Sequence, residues 1–441
     1  MSLIWPLMIE QVLVVTLGFA DIVMVASLGE AAVSGVSLVD SINNLINGLF
    51  GALATGGAVV CSHYFGSRNE KMVSLTAQQL IYSTIGISLI ITVFGLMFQR
   101  DSLVLIFGKT EEAVMVNARI YFFFSLLSYP MIALYSGCAA LFRAQGNSTV
   151  SMLTSLLVNI LNIGGNFVCI FILKMGVAGV AVPTFISRAA AAFMLLFLLY
   201  KARPYAGRPA ISIRGISRIH IDGKIIKHIL AIGIPNGVEN SMFQIGKILV
   251  LKVITQFGTT AIAANAAAGT LATFGTLPGS ALGLAILTVV GQTLGAERTE
   301  EARYFTKTLM ILSYIAIIII NIPLIIFADP LVGIFNMSSE AQLLTKKMFL
   351  FHNIMAMLIW SPSFALPNAL RAANDARFTM LVSMLSMWIV RVGLAYFFAR
   401  FTTFGALSVW YAMIIDWTVR SIFFIIRWHV GLWKLHYHLA D

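Results

Sequence analysis

Glu10 and Asp21 stand in "WPLMIEQVLVVTLGFADIVMVASLG", residues 5–29, which is otherwise almost unbroken apolar sequence. An ionised side chain costs at least ~2.5 kcal/mol at the centre of a membrane helix, so acids kept there are candidates for function. The two acids are eleven residues apart. On a helix that spacing leaves them roughly 20° apart around the axis and about 16 Å apart along it, so they share one face. That face must look into the protein or into a wet cavity. A carboxylate there can take up and release a proton, or it can bind a hard cation together with neighbouring oxygens.

Oxygens of that kind recur nearby. The stretch "DSINNLIN" places Asp40, Asn44 and Asn47 at i, i+4 and i+7, with Asn43 beside them. Asn159, Asn162 and Asn166 in "NILNIGGN" follow i, i+3 and i+7. Each set lies on one helix face. Carboxylates and amide carbonyls from three helices make a candidate Na⁺ site at Asp21, Asp40, Asn162 and Asn166, with Asn44 beside it. The competing reading is a set of asparagines joining helices by hydrogen bonds. In the second half, Glu239, Lys247, Lys252, Arg391, Asp416 and Arg420 also stand in apolar segments, as Arg188 does in the first. Lys247 reads as a partner or repeller of a nearby charge, and Lys252 as a residue that snorkels to the interface. Asp416 and Arg420 have ion-pair spacing and can pair with each other or with Arg391. With Arg188 and Arg391 they read as architecture.

The elements that carry these residues are membrane helices. The chain has 441 residues, 59% hydrophobic and 11% charged, with mean hydropathy +0.90; the charged share is far below that of a soluble domain. Helix-length apolar runs occur at 5–28, 34–62, 74–98, 113–137, 149–173, 177–200, 228–256, 262–292, 303–327, 341–366, 377–399 and 404–431. Their continuity excludes an outer-membrane barrel. Cys61, Cys138 and Cys169 share no metal spacing. No phosphate loop or catalytic triad is present, and no cleavable leader pattern is read in the first segment. Nothing suggests an enzyme or a cofactor.

The net charge of +11 follows from loop placement, so nucleic acid is not implied. With both termini in the cytoplasm, 17 of the 29 Lys and Arg residues fall in inside segments and 7 in outside segments, as the positive-inside rule requires.

The two halves match. At an offset of 229, Pro6 lands on Pro235, Glu10 on Glu239, Gly29 on Gly258 and Gly66 on Gly295. At 228, "DSLVLIF" (101–107) lands on "DPLVGIF" (329–335), and "LFRAQGN" (141–147) on "ALRAAND" (369–375). Six spans per copy make a parallel repeat, an arrangement transporters use to build a site between or within the halves. The expected organisation is a six-helix lobe over 1–200, a cytoplasmic linker over 201–227 and a second six-helix lobe over 228–441.

Several stretches resemble the multidrug and toxic compound extrusion (MATE) transporters. They are "ADIVMVASLGEAAVSG", "ALFRAQGNSTVSMLTSLLVNILNIGGNFVCIF", "GTTAIAANAAAGTLATFGTLPGSALGLAILTVVGQTLGA", "ALRAANDARFTMLVSMLSMWIVRVGLAYFF" and "GALSVWYAMIIDWTVRSIFFIIRWHVGLWK". The resemblance implies an all-α polytopic protein with twelve helices in two pseudo-symmetric lobes set in a V. It implies a monomeric antiporter of the bacterial inner membrane. Such a protein exports drugs or other bulky, often cationic, organic compounds by alternating access and is driven by Na⁺ or H⁺. Its partners would be small organic substrates and membrane lipids.

Asp21 matches the family's "D-x-x-M-V-x-x-x-G" pattern and inherits a cation-coupling role, with Glu10 and Glu239 expected near the substrate path. Family members often carry a glutamate where this chain has Phe243, so Phe243 and Lys247 are expected at the cavity of the second lobe. An acid found in some members stands here as Asn166, and an aspartate near "IWSPSF" is missing. Coupling is therefore expected in the first lobe. The alternatives are a flippase for a lipid-linked saccharide and an exporter of an endogenous metabolite. A flippase needs many cations for a diphosphate, whereas the spans hold five basic and five acidic residues.

Overall fold

The apolar runs fold as helices that extend beyond the apolar residues at most ends, because an internally hydrogen-bonded backbone is the only open-chain form a bilayer tolerates. In the computed structural model, residues 3–108, 111–202, 210–216, 219–335 and 337–437 are described. Twelve long helices follow in order among them. They are α1 (Ile4–Ala26), α2 (Glu30–Gly66), α3 (Glu70–Met97), α4 (Glu112–Ala144), α5 (Ser148–Ile172), α6 (Ala178–Lys201), α7 (Gly223–Thr255), α8 (Gly258–Gly295), α9 (Thr299–Ile326), α10 (Ser339–Ala372), α11 (Ala376–Phe401) and α12 (Leu407–Val430). Eleven are apolar enough to cross a membrane. The exception is α7, whose middle carries Asn236, Glu239, Asn240 and Gln244.

The chain divides into two compact units, Met1–Gly237 and Val238–Asp441, so the division falls inside α7. Packing inside each unit follows the repeat. In the first, α2 lies on α4, α4 on α6 and α1 on α5. In the second, α8 lies on α10 and α10 on α12, and Gly246 of α7 faces Met387 of α11. The core of the first unit gathers Val36, Val39 and Phe50 of α2 with Tyr121, Phe122 and Tyr129 of α4.

Of the expected linker, residues 203–209 and 217–218 lie outside the described residues. The described part is pinned to α3: Ser74 donates to Ser212 O at 2.6 Å and Tyr82 to Ile216 O at 2.7 Å. Asp222 then caps α7 by accepting from the amides of Lys224 and Ile225.

Three helices contain π-helical stretches, Val168–Ile172 in α5, Ala356–Ala365 in α10 and Ser386–Val392 in α11. Pro362 stands within the second and Pro367 just after it. Each wide turn rotates the following residues relative to a regular helix, a feature concentrated at functional sites. Pro130, Pro183 and Pro278 lie inside α4, α6 and α8.

Close helix approach in the first unit depends on missing side chains. A Cβ on Gly35 would stand 2.8 Å from the Val114 carbonyl oxygen and 2.9 Å from the Ala118 amide, both on α4. Gly35→Ala is therefore expected to destabilise the purified protein by about 1–3 kcal/mol, the usual cost of overpacking. Gly51, with no atom near its Cβ position, accepts alanine without loss. Thermal unfolding in detergent, followed by size-exclusion chromatography, separates the two.

Candidate functional site

Two kinds of polar cluster occupy the spans, and the repeat explains only one. The repeated kind is an ion pair. Glu10 on α1 accepts from Arg143 Nη1 on α4 at 2.9 Å and from Ser151 Oγ on α5 at 2.7 Å. Glu239 on α7 accepts from Arg371 Nη2 on α10, with both carboxylate oxygens at 2.8 Å, and Asn368 holds the same guanidinium at 3.0 Å. Glu10 and Glu239 are repeat mates, and so are Arg143 and Arg371 of "LFRAQGN" and "ALRAAND". Both glutamates are buried. Each pair bolts the first helix of its half to the fourth, and Glu239 is not among the residues lining the cavity described below.

The second kind differs between the units. In the first, Asn166 on α5 donates to Asp21 Oδ1 at 2.7 Å and lies 3.0 Å from Asn162 Oδ1. Asn162 in turn donates to Thr184 Oγ on α6 at 2.8 Å. Beside this chain, Asn43 Nδ2 lies 3.2 Å from both Asp40 Oδ1 and Ser125 Oγ, and the Tyr129 hydroxyl donates to Asn43 Oδ1 at 3.0 Å. Asp21 and Asp40 lie within electrostatic reach of each other and of Arg188, whose Nη1 donates to Ser128. Among the described residues no Lys or Arg forms an ion pair with either aspartate. The buried Oδ1 of Asn166 has no hydrogen-bond partner among the described residues.

Four of the five residues expected at a coupling site, Asp21, Asp40, Asn162 and Asn166, are thus in one region. Asn44 is not with them. It is exposed, and Asn43 takes the place next to Asp40, one residue earlier. Thr184 and Tyr129 were missed because a lone hydroxyl in an apolar helix carries no pattern. The donors suit a hard cation: carboxylate oxygens, an amide oxygen without a partner, and a hydroxyl. They equally suit a proton, which would sit on an aspartate.

In the second unit the corresponding space is an aromatic cavity of about 450 Å³. Phe243 and Lys247 are among its lining residues, together with Trp360, Phe364, Arg391 and Trp410. The Phe243 ring is approached by Lys247 Nζ at 5.0 Å, the Arg391 guanidinium at 5.6 Å and the Arg420 guanidinium at 5.8 Å. Behind the wall, Arg420 lies 3.5 Å from Asp416, to which Ser386 donates at 2.6 Å. Trp360 and Phe364 come from the π-helical stretch of α10 and Arg391 from that of α11. Lys252 is exposed.

Both halves of the chain match the MatE family model, over residues 6–168 and 235–397. The two matched segments begin and end 229 residues apart, which is the internal offset seen above. An uncharacterized transporter of Bacillus subtilis, YisQ, is 28% identical over 98% of this chain and 94% of its own length. The probable multidrug resistance protein NorM of Thermotoga maritima is 25% identical over 97% and 91%. Among solved structures, a MATE in complex with MaL6 superposes with TM-score 0.90 at 20% identity, covering 98% of this chain and 96% of that one. An outward-facing multidrug resistance MATE family transporter of the MOP superfamily superposes with TM-score 0.88 at 20% identity.

The duplicated ion pair generates a test. Arg143→Met strands a buried carboxylate and is expected to cost about 3 kcal/mol or more. Adding Glu10→Gln to it recovers most of that loss. The same cycle at Glu239 and Arg371 behaves alike. Denaturation of the single and double variants in detergent reads the coupling energy directly.

Proposed function

The chain belongs to the MatE family, whose members are membrane transporters and not enzymes, and we propose that it is a cation-coupled antiporter that exports bulky organic compounds. As a polytopic transporter of that family it resides in the plasma membrane. The proposal adds that both termini are cytoplasmic, from the 17 to 7 distribution of basic residues. It also takes the lobes as 1–200 and 228–441, joined by 201–227, and the working form as a monomer.

The observation that carries the coupling reading is the bonded chain Asp21–Asn166–Asn162–Thr184, with Asp40 and Asn43 beside it. Asp21 is half-buried and has no ion-pair partner among the described residues, where its charge is compensated by the Asn166 amide and by Arg188 at longer range. An ionised carboxylate in that setting is stabilised by binding H⁺ or Na⁺, and its discharge changes which conformation is favoured. A ligand shifts a two-state equilibrium only by its differential affinity for the two states. A cation bound at Asp21 can therefore drive alternating access if one state offers the fuller set of oxygens. The asparagines cannot titrate, so for H⁺ the two aspartates do all the proton handling. For Na⁺ the amide oxygens become ligands, after the Asn166 amide turns its free Oδ1 inward.

Reconstituted protein should move a fluorescent organic dye across proteoliposome membranes under an imposed H⁺ or Na⁺ gradient, and the effective gradient names the ion. Asp21→Asn should lower the gradient-driven rate at least about tenfold, since the lost differential binding of one charge exceeds ~1.4 kcal/mol. Gradient-driven export by Asp21→Asn at the wild-type rate would remove Asp21 from coupling.

A further inference from the structure

The cavity of the second unit has an unusual charge balance. Its charged lining residues are Lys247 and Arg391, and no carboxylate is among those that line it. Asp416 is fully buried behind the wall, engaged by Ser386 and facing Arg420. It is within electrostatic reach of Arg391 but forms no ion pair with it. Arg391 is only 7% exposed, yet it makes no hydrogen bond or ion pair among the described residues, and its Nε is without a partner. A buried guanidinium left in this way is costly, and structures rarely retain one unless something satisfies it. Lys247 lines the same cavity and is exposed, which sets a second positive charge at the opening. Organic cations entering here would meet two like charges and no counter-charge.

The rest of the lining defines the other end of a ligand. Trp360 and Phe364 stack with centroids 5.1 Å apart and planes 23° from parallel. The Trp410 indole is fixed by its bond to Asn265 Oδ1 at 3.1 Å. His352 stands edge-on to Trp410. These are rigid apolar faces; beside the two cations, the Trp417 indole Nε1 of the lining is a further donor without a partner among the described residues. A volume of about 450 Å³ suits one or two fused rings.

We propose that this cavity binds a small aromatic organic anion, its carboxylate or sulfonate on Arg391 and Lys247 and its ring among Phe243, Trp360, Phe364 and Trp410. A planar guanidinium and an ammonium grip an oxyanion by charge-assisted hydrogen bonds, which are about twice as strong as neutral ones. The proposal rests on the transport reading only in treating the occupant as cargo, and binding itself is independent of any gradient. It places cation coupling in one half of the duplicated chain and anion recognition in the other.

The test is equilibrium binding by calorimetry to the full chain in nanodiscs, with no ion gradient. The probes are 2-naphthalenesulfonate and the 2-naphthyltrimethylammonium cation, which share one ring system. Saturable binding of the anion is expected, with the cation at least about tenfold weaker. Arg391→Gln should weaken the anion about tenfold or more, as loss of a charged hydrogen bond does, and Lys247→Gln should weaken it several-fold.

Should Arg391→Gln fail to remain monodisperse, the exposed position decides: Lys247→Glu must weaken the anion and strengthen the cation. Equal or tighter binding of the cation by the wild type, or an unchanged anion affinity in Lys247→Glu, overturns the proposal. An anion-binding protein that transports nothing under either gradient would sink the antiporter reading and leave this site standing. A protein that exports dyes under a gradient and ignores the sulfonate would do the reverse.

Discussion

A charged side chain inside a bilayer is costly unless it meets a counterpart within the protein or faces a wet cavity. That constraint shapes most of what is distinctive here. The Glu10–Arg143 and Glu239–Arg371 pairs satisfy it in the same way in both halves, tying the first helix of each copy to the fourth. Because partner removal strands a charge in low dielectric, such a pair holds a helix arrangement more stringently than apolar packing between lipid-like side chains. Its presence at matching positions indicates that the duplicated six-helix unit was built around it.

Around this shared frame the two halves diverge in polarity. The first unit collects carboxylates and amides, Asp21 and Asp40 with Asn43, Asn162 and Asn166, and keeps arginine at a distance. The second collects guanidinium, ammonium and aromatic faces. Phe243 marks the contrast: three cations approach one ring, and its negative faces offer partial compensation to Lys247 and Arg391, which form no ion pair among the described residues, while Arg420 also faces Asp416. A helix frame repeated in sequence thus presents sites of opposite character, and duplicated scaffolds allow this because the ion pair, not the site, carries the architecture.

The π-helical stretches of α10 and α11 contribute to that divergence. They carry Trp360, Phe364 and Arg391 and so aim them into the same cavity. In the first unit the matching role falls to α5, where Asn162 and Asn166 remain on a regular face and only Val168–Ile172, beyond them, is widened. A regular helix keeps i and i+4 aligned, and so Asn162 and Asn166 can touch the same neighbours.

Hydropathy and repeat spacing by themselves determined the helices, the duplication and the two buried glutamates, since the cost of burying polar backbone and charge acts on every residue locally. Asp21, Asn162 and Asn166 were legible as well, because 3.6-residue periodicity reports which residues share a face. The structure alone decided what each face meets. It brought Arg143 to Glu10 across more than a hundred residues and chose Asn43 over Asn44 beside Asp40. It drew Thr184 into the amide chain and left the buried Arg391 with no hydrogen bond or ion pair among the described residues. Periodicity describes one helix at a time, whereas these outcomes depend on crossing geometry between helices, and a single wide turn rotates a side chain by an amount the sequence does not display.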